Sequence, residues 1–204
     1  MTIITELHYL PTIPYFKQLK SAEVIYLNLH EFYLKQTLRN RTFILTANGI
    51  QSLSVPILKH TSKGLTKEVA IDYSQKWLNV HWRAIQSAYG KAPFFEYLAD
   101  EFQQVYRQRP AFLADLNLQL LTICLKCLGW QKNIYISQAP LAELQLQKEA
   151  YRDLSNTITV RTLRELNSQK DIKAYKQIFG KPFVPNLSVI DLLFCQGLQS
   201  LQYL

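Results

Sequence analysis

Thr2-Ile3-Ile4-Thr5-Glu6-Leu7-His8-Tyr9-Leu10-Pro11-Thr12-Ile13-Pro14, continued by Tyr15 to Ser21 and then Val24-Ile25-Tyr26-Leu27, is the stretch on which the fold turns. Thr2 to Leu7 is rich in β-branched and apolar residues and reads as a strand. Two prolines within four residues make the segment after it a loop, and Pro14 suits the first turn of a helix because its missing N–H has no partner there anyway. The helix is expected from about Pro14 to Ser21, and Val24–Leu27 is a short run suited to a buried strand. Strand, loop, helix and strand in that order begin a parallel βαβ unit. Ligands of such sheets bind beyond the carboxyl ends of the strands, and the loop holding His8 and Tyr9 lies at one such end.

Working outward, Thr42–Thr46 and the alternating Leu53, Val55 and Ile57 flank Asn48-Gly49, which predicts a hairpin with a type I′ turn. Pro56 cannot donate to a ladder, which puts that strand at an edge, and Glu68–Ile71 is expected to add a third antiparallel strand. From Ser74, taken as an N-cap, the pattern becomes helical, with Trp77, His81, Ile85 and Tyr89 spaced by four. Gly90 ends that helix. A second is expected from Phe94 to Arg109, stopped by Pro110, and a third from Phe112 to Leu128, with Gly129 after it. Asn133–Ile136 reads as a strand, Leu141–Asp153 as helical, and Thr157–Arg164 suits strand or helix. Ser188 and Asp191 resemble a capping box opening an apolar helix over Val189–Phe194. The expected fold is therefore α/β. It combines a small mixed sheet started by the strand–loop–helix–strand unit, an antiparallel hairpin, and a central helical segment over about 74–130.

With 204 residues, 48% hydrophobic and 19% charged, the chain fits one domain with an ordinary core. Its net charge of +8 attracts anions, but no block of like charge and no basic region interleaved with aromatics points to nucleic acid. A pocket for a phosphorylated small molecule fits this balance better than a nucleic-acid track, and a plain solvated basic surface fits it equally well. The N-terminus has neither the basic start nor the apolar run of a signal peptide. Phe112–Trp130 carries too many polar residues to span a membrane. Three cysteines make no disulfide framework, so a cytoplasmic, reduced protein is expected. Scattered histidines and a lone Cys124-x-x-Cys127 inside an apolar helix give no metal site. Walker, dinucleotide-fingerprint and nucleophile-elbow motifs are missing from the sequence, and no cofactor is called for.

Several segments, in order along nearly the whole chain, are similar to the WbqC-like family. They are His8-Tyr9-Leu10-Pro11 with Pro14-Tyr15-Phe16, Tyr33-Leu34-Lys35 with Arg39-Asn40-Arg41, and a central set of Trp77, His81, Tyr89, Ala92-Pro93-Phe94-Phe95 and Asn117. Tyr175 to Gly180 and Pro185-Asn186-Leu187-Ser188 with Asp191-Leu192-Leu193-Phe194 complete the match. The chain departs from the pattern at His8, where many relatives carry Gln, and at Ser137–Pro140, where many have a glycine-rich turn. The resemblance implies a bacterial protein encoded among genes for O-antigen and capsule synthesis.

Arg39 and Arg41, two apart, point the same way if the segment is extended. They then form a fork for phosphate or carboxylate oxygens, with Asn40 between them and Lys35 adding charge. The alternative is a solvated edge beside the hairpin. His81 is a candidate general base, or a half-buried histidine packed on Trp77. His8 is a second acid–base candidate, with Tyr9 and Tyr15 beside it at the strand end and His30 at the end of the next strand. A His8–His30 pair is geometrically possible. Tyr89 and Asn117 complete the expected substrate-binding set, Asn117 being a polar group among leucines.

Together these readings predict an enzyme that transfers a group to or from a nucleotide-activated sugar. An acyl- or amide-forming reaction is one form, with a CoA or carrier-protein donor, an arginine phosphate clamp and a histidine base. Two alternatives stand beside it: a Rossmann-like nucleotidyl or glycosyl transferase, and a non-catalytic ligand-binding or scaffold protein of the same route. The hydrophobic central helices leave room for a homodimer.

Overall fold

The computed structural model describes residues 1–140, 151–166, 172–179 and 182–204. Strand β1 (Thr2–Thr5) is followed by α1 (Ile13–Leu19) and β2 (Val24–Leu27), the expected parallel unit, with Thr2 opposite Val24 and Thr5 opposite Leu27. Pro14 stands at the start of α1, where it removes no helical hydrogen bond. Ile3, Ile4, Ile25 and Leu27 are fully buried, as strands covered on both faces require.

The hairpin follows as β3 (Arg41–Thr46) and β4 (Gly49–Ser54). Its two turn residues are Ala47 and Asn48, because Thr46 pairs with Gly49. Gly49 has φ +98° but Asn48 is not in the left-handed region, so the expected type I′ turn does not form. Instead the Thr46 hydroxyl closes the turn, donating to the Gly49 carbonyl and accepting from the Asn48 amide. Glu68–Ile71 does not add a third strand. Thr66–Glu68 is a 3₁₀ turn, and Ala70 and Ile71 make only single bridges to Phe112 and Ile57.

Three helices then stack in succession: α2 (Trp77–Tyr89), α3 (Phe95–Gln108) and α4 (Leu113–Cys127). α2 starts later than Ser74 because the Ser74 hydroxyl and amide both bond the Asp72 carboxylate, which leaves Ser74 nothing to cap with. α3 ends at Arg109, whose φ of +52° turns the chain ahead of Pro110, a residue that disfavours helix at the position before it. Gly129 takes φ +66° just beyond α4.

β5 (Asn133–Ile136) pairs with β2, and β6 (Tyr151–Asp153) pairs with β1 on its other side, both parallel. The end of the expected helix over Leu141–Asp153 is therefore a strand, and residues 141–150 lie outside the described residues. The ambiguous Thr157–Arg164 segment turns helical at Val160, where α5 (Val160–Leu166) begins. The last helix, α6 (Val189–Gln196), buries seven of its eight residues and runs into a 3₁₀ turn, Gly197–Gln202. The capping box is not made. Ser188 Oγ donates to the Leu10 carbonyl, and the Asp191 carboxylate instead accepts from Tyr175 and Gln177.

The chain is thus an α/β protein with a four-stranded parallel sheet, order β5-β2-β1-β6, and a separate two-stranded antiparallel hairpin. The strand order reverses at β1. The chain moves outward from β1 to β2 and β5, then returns to place β6 on the far side of β1. A reversal of this kind opens a crevice at the carboxyl ends of the two diverging strands, β1 and β6.

Candidate functional site

At that reversal the chain leaves β1 through Glu6 and His8, both almost fully buried. His8 Nε2 stands 3.0 Å from Glu6 Oε1. From the end of β6, the Asn156 amide donates to both Glu6 oxygens at 3.1 and 3.0 Å. Asn156 can do this because its φ is +59°, a left-handed conformation that asparagine tolerates better than most residues. Burial opposes ionisation of Glu6, but the His8 hydrogen bond and the charges of His8 and Arg39 overcome it and hold the carboxyl at about 2. An ionised Glu6 makes His8 Nε2 the donor. The other ring nitrogen, Nδ1, is buried and has no hydrogen-bond partner among the described residues.

Tyr15 supports this pair from α1. Its ring lies 4.8 Å from that of His8, and its hydroxyl donates to the Glu6 carbonyl at 2.9 Å. The loop beyond is pinned as well. Leu10 has φ +41°, a costly conformation for a bulky side chain, and its carbonyl accepts from Thr42 and Ser188.

Arg39 is the next layer. Its guanidinium is buried, donating to Glu31 Oε1 through Nε at 2.7 Å and to Asn156 Oδ1 at 2.9 Å. Asn117, from α4, donates to the Arg39 carbonyl at 2.7 Å and so fixes the backbone from below. Burial raises the Glu31 carboxyl above its ordinary range; Arg39 opposes this, while Glu6 and Asp153 reinforce it. One guanidinium thus serves the Glu31 carboxylate after β2 and the Asn156 amide oxygen after β6, and its charge also favours ionised Glu6 after β1.

The arginine fork is not built. Residues 35–40 lie in turns and bends, not in an extended segment, so the geometry that would align the two guanidiniums is missing. Arg41 instead bonds Ser54 Oγ across the hairpin, Asn40 donates to the Val55 carbonyl, and Lys35 is exposed.

His30 joins the same edge of the sheet without meeting His8. Its Nε2 lies 2.9 Å from Lys67 Nζ, which as an ammonium must be the donor. Its Nδ1 lies 3.4 Å from Ser137 Oγ, at the end of β5. His81 belongs elsewhere. It is buried on α2 with its Nδ1 2.8 Å from the Tyr9 hydroxyl, which in turn meets the Tyr106 hydroxyl at 2.6 Å. Burial pushes the His81 imidazole down to about 4, partly offset by a hydrogen bond to the Ser54 backbone, so it is neutral at pH 7. A low-pKa ring packed against Tyr9 and Trp77 is poorly suited to taking a proton from substrate. Tyr89 packs on Phe194 and accepts the Leu45 amide, a place in the core.

Sequence reasoning passed over Glu6 and Asn156. Glu6 was within reach, since a carboxylate two residues before a histidine at a strand end can orient it. Asn156 was not, because β6 itself was not recognised. Among the described residues no group of three or more His, Cys, Asp or Glu is placed to hold a metal ion, and no helix is long and apolar enough to cross a membrane.

Fold and site together define an α/β protein with a buried carboxylate–histidine pair at the reversal point of a parallel sheet. The chain belongs to the WbqC-like protein family, whose model matches residues 7–168 and 162–203. It is 28% identical to the uncharacterized protein Rv1507c of Mycobacterium tuberculosis over 98% of this chain and 96% of that protein. No solved structure matches it.

Proposed function

We propose that the chain is an enzyme of bacterial surface-polysaccharide assembly that transfers a group to or from a nucleotide-activated sugar, with His8 as its acid–base residue. The observation that carries this reading is the Glu6–His8 pair at the sheet's reversal point, with His8 Nδ1 buried and unpartnered among the described residues. A carboxylate that fixes one imidazole nitrogen as a donor leaves the other, in the neutral ring, as a basic lone pair, the arrangement general bases use. In the transfer, His8 Nδ1 takes the proton of an attacking hydroxyl or amine as its bond to the transferred group forms. The bond to the donor's leaving group breaks with its electron pair, and the imidazolium returns the proton to that leaving group. Lys67, beside His30 on the same edge, supplies positive charge for an anionic substrate. The similarity to proteins encoded with O-antigen and capsule genes supports the pathway.

The test is a thermal-shift screen of the protein against nucleotide sugars, free nucleotides, acyl-CoAs and phosphorylated sugars. A ligand at ~100 times its dissociation constant adds about 2.7 kcal/mol of stability. Stabilisation by a nucleotide sugar that survives in His8→Asn, with turnover abolished in that variant, is the expected result. A response to none of these ligands overturns the reading.

A second reading is favoured by one specific observation. His8 and Glu6 are 1–2% exposed and tied to Arg39 and Asn156, as a structural keystone would be. A non-catalytic binding or scaffold role predicts that cells carrying a folded His8→Asn protein make normal surface polysaccharide.

A further inference from the structure

A cavity of about 420 Å³ opens between α2 and α3, away from the sheet edge, and falls in the size range of small-molecule sites. Lys76, Arg107 and Arg109 line it, and among the described residues that line it none is acidic. Its walls include two aromatic side chains, Tyr73 and Trp82, and its floor is Tyr106. Arg109 is held in place there: its guanidinium lies 4.7 Å over the Tyr73 ring, and the Tyr73 hydroxyl is anchored on the Pro110 carbonyl at 2.7 Å.

We infer that this cavity is a binding site for a phosphorylated small molecule, with Lys76, Arg107 and Arg109 on the phosphate oxygens. Three cations converge on one concave surface without carboxylates to neutralise them, and guanidiniums match phosphate oxygens through paired N–H donors. The aromatic walls suit the remainder of such a ligand. The inference uses neither Glu6 nor His8 and stands apart from the transfer chemistry proposed above. The two regions are nonetheless linked. The Tyr106 hydroxyl meets that of Tyr9, 2.6 Å away, and Tyr9 follows His8 directly in the chain.

Phosphate groups of this kind come from a nucleoside diphosphate, as in an activated sugar, or from coenzyme A, as in an acyl donor. Isothermal titration of the full chain with inorganic tripolyphosphate, UDP and CoA separates the sources. Lys76, Arg107 and the control residue Lys59 are exposed, so charge reversal at each leaves the core untouched. Binding of at least one probe is expected, weakened about 10- to 100-fold by Arg107→Glu, as loss of a charge-assisted contact predicts. Lys59→Glu should change it less than about twofold. UDP binding tighter than tripolyphosphate assigns the site to nucleotides, tighter CoA binding assigns it to the acyl donor, and equal binding assigns it to phosphate alone. No binding of any probe, or equal weakening by Lys59→Glu and Arg107→Glu, overturns the inference, since the latter is what the net charge alone would do.

Discussion

Glu6 and His8, two residues apart beyond the end of β1, meet over 3.0 Å with both side chains only 2% exposed. Successive residues of a strand point to opposite faces, so a two-residue spacing puts both side chains on one side. The Asn156 amide then donates to both oxygens of Glu6, and the Thr5 hydroxyl lies 3.5 Å from Oε2. Glu6→Gln keeps the shape but removes the charge facing His8 and Arg39, and should cost about 3 kcal/mol in urea unfolding at pH 7. The folded carboxyl lies near 2 against an ordinary 4.5. Its contribution is complete above pH 4.5 and is lost as pH falls toward 2. In the Gln variant that part of the acid decline disappears. Equal pH profiles for the two proteins would show that Glu6 is not held ionised.

The two arginines of Arg39-Asn40-Arg41 should differ sharply on mutation. Arg39→Met removes a buried guanidinium and leaves half-buried Glu31 and the Asn156 amide oxygen without their donor, for an expected loss of about 2–3 kcal/mol. Arg41→Met removes one exposed bond to Ser54 and should cost under about 1 kcal/mol. Paired denaturation curves decide the matter. Similar losses would mean the guanidiniums share a load that their hydrogen bonds do not reveal.

That contrast also shows what the sequence could and could not disclose. The β1–α1–β2 unit was legible because β-branched runs, two prolines and a strand-length apolar segment all agree locally. The central helices were legible for the same reason, from period, Gly and Pro. β6 is only Tyr151-Arg152-Asp153, too short for any periodicity, and exists because β1 offers it a free edge. Without β6 neither the reversal at β1 nor the place of Asn156 can be deduced. The partner of Arg39 was hidden for a related reason: Glu31 lies eight residues upstream, brought near by turns between β2 and β3. The place of His8 just beyond β1 was legible because it depends only on where the first strand ends. Of the two readings of His81, packing beside Trp77 is the one the structure matches; a helical face alone does not tell whether a residue looks toward a crevice or into the core.

His81 gives a second pH signature, in a different window. Its folded value is about 4 against 6.5 in the unfolded chain. Between these values the unfolded state binds a proton that the folded state refuses, so stability is complete above pH 6.5 and falls as pH drops toward 4. The loss over that window is roughly 3 kcal/mol. His81→Gln retains an acceptor for the Tyr9 hydroxyl and should flatten urea midpoints between pH 6.5 and 4 relative to the parent. A variant with an unchanged slope would place the burden on other groups and leave His81 solvent-accessible.

Gly197 sets the turn between α6 and the final 3₁₀ segment, with φ +54° and ψ −134°, a backbone region essentially closed to residues with a side chain. A Cβ there would stand 2.6 Å from Cδ1 and Cε1 of Phe94 and 2.9 Å from its Cγ. Phe94 cannot simply withdraw, because its backbone amide is bonded to the Phe194 carbonyl in the core at 3.0 Å. Gly129 makes the natural control, having φ +66° but nothing within 4 Å of a built Cβ. Gly129→Ala should therefore cost only the backbone penalty, about 1 kcal/mol. Gly197→Ala adds a ring displacement to that penalty and should cost about 2–4 kcal/mol. Thermal or urea unfolding of the two variants side by side measures the difference. Equal losses would mean that Phe94 yields freely and that the close approach of α6 to the start of α3 contributes nothing to stability.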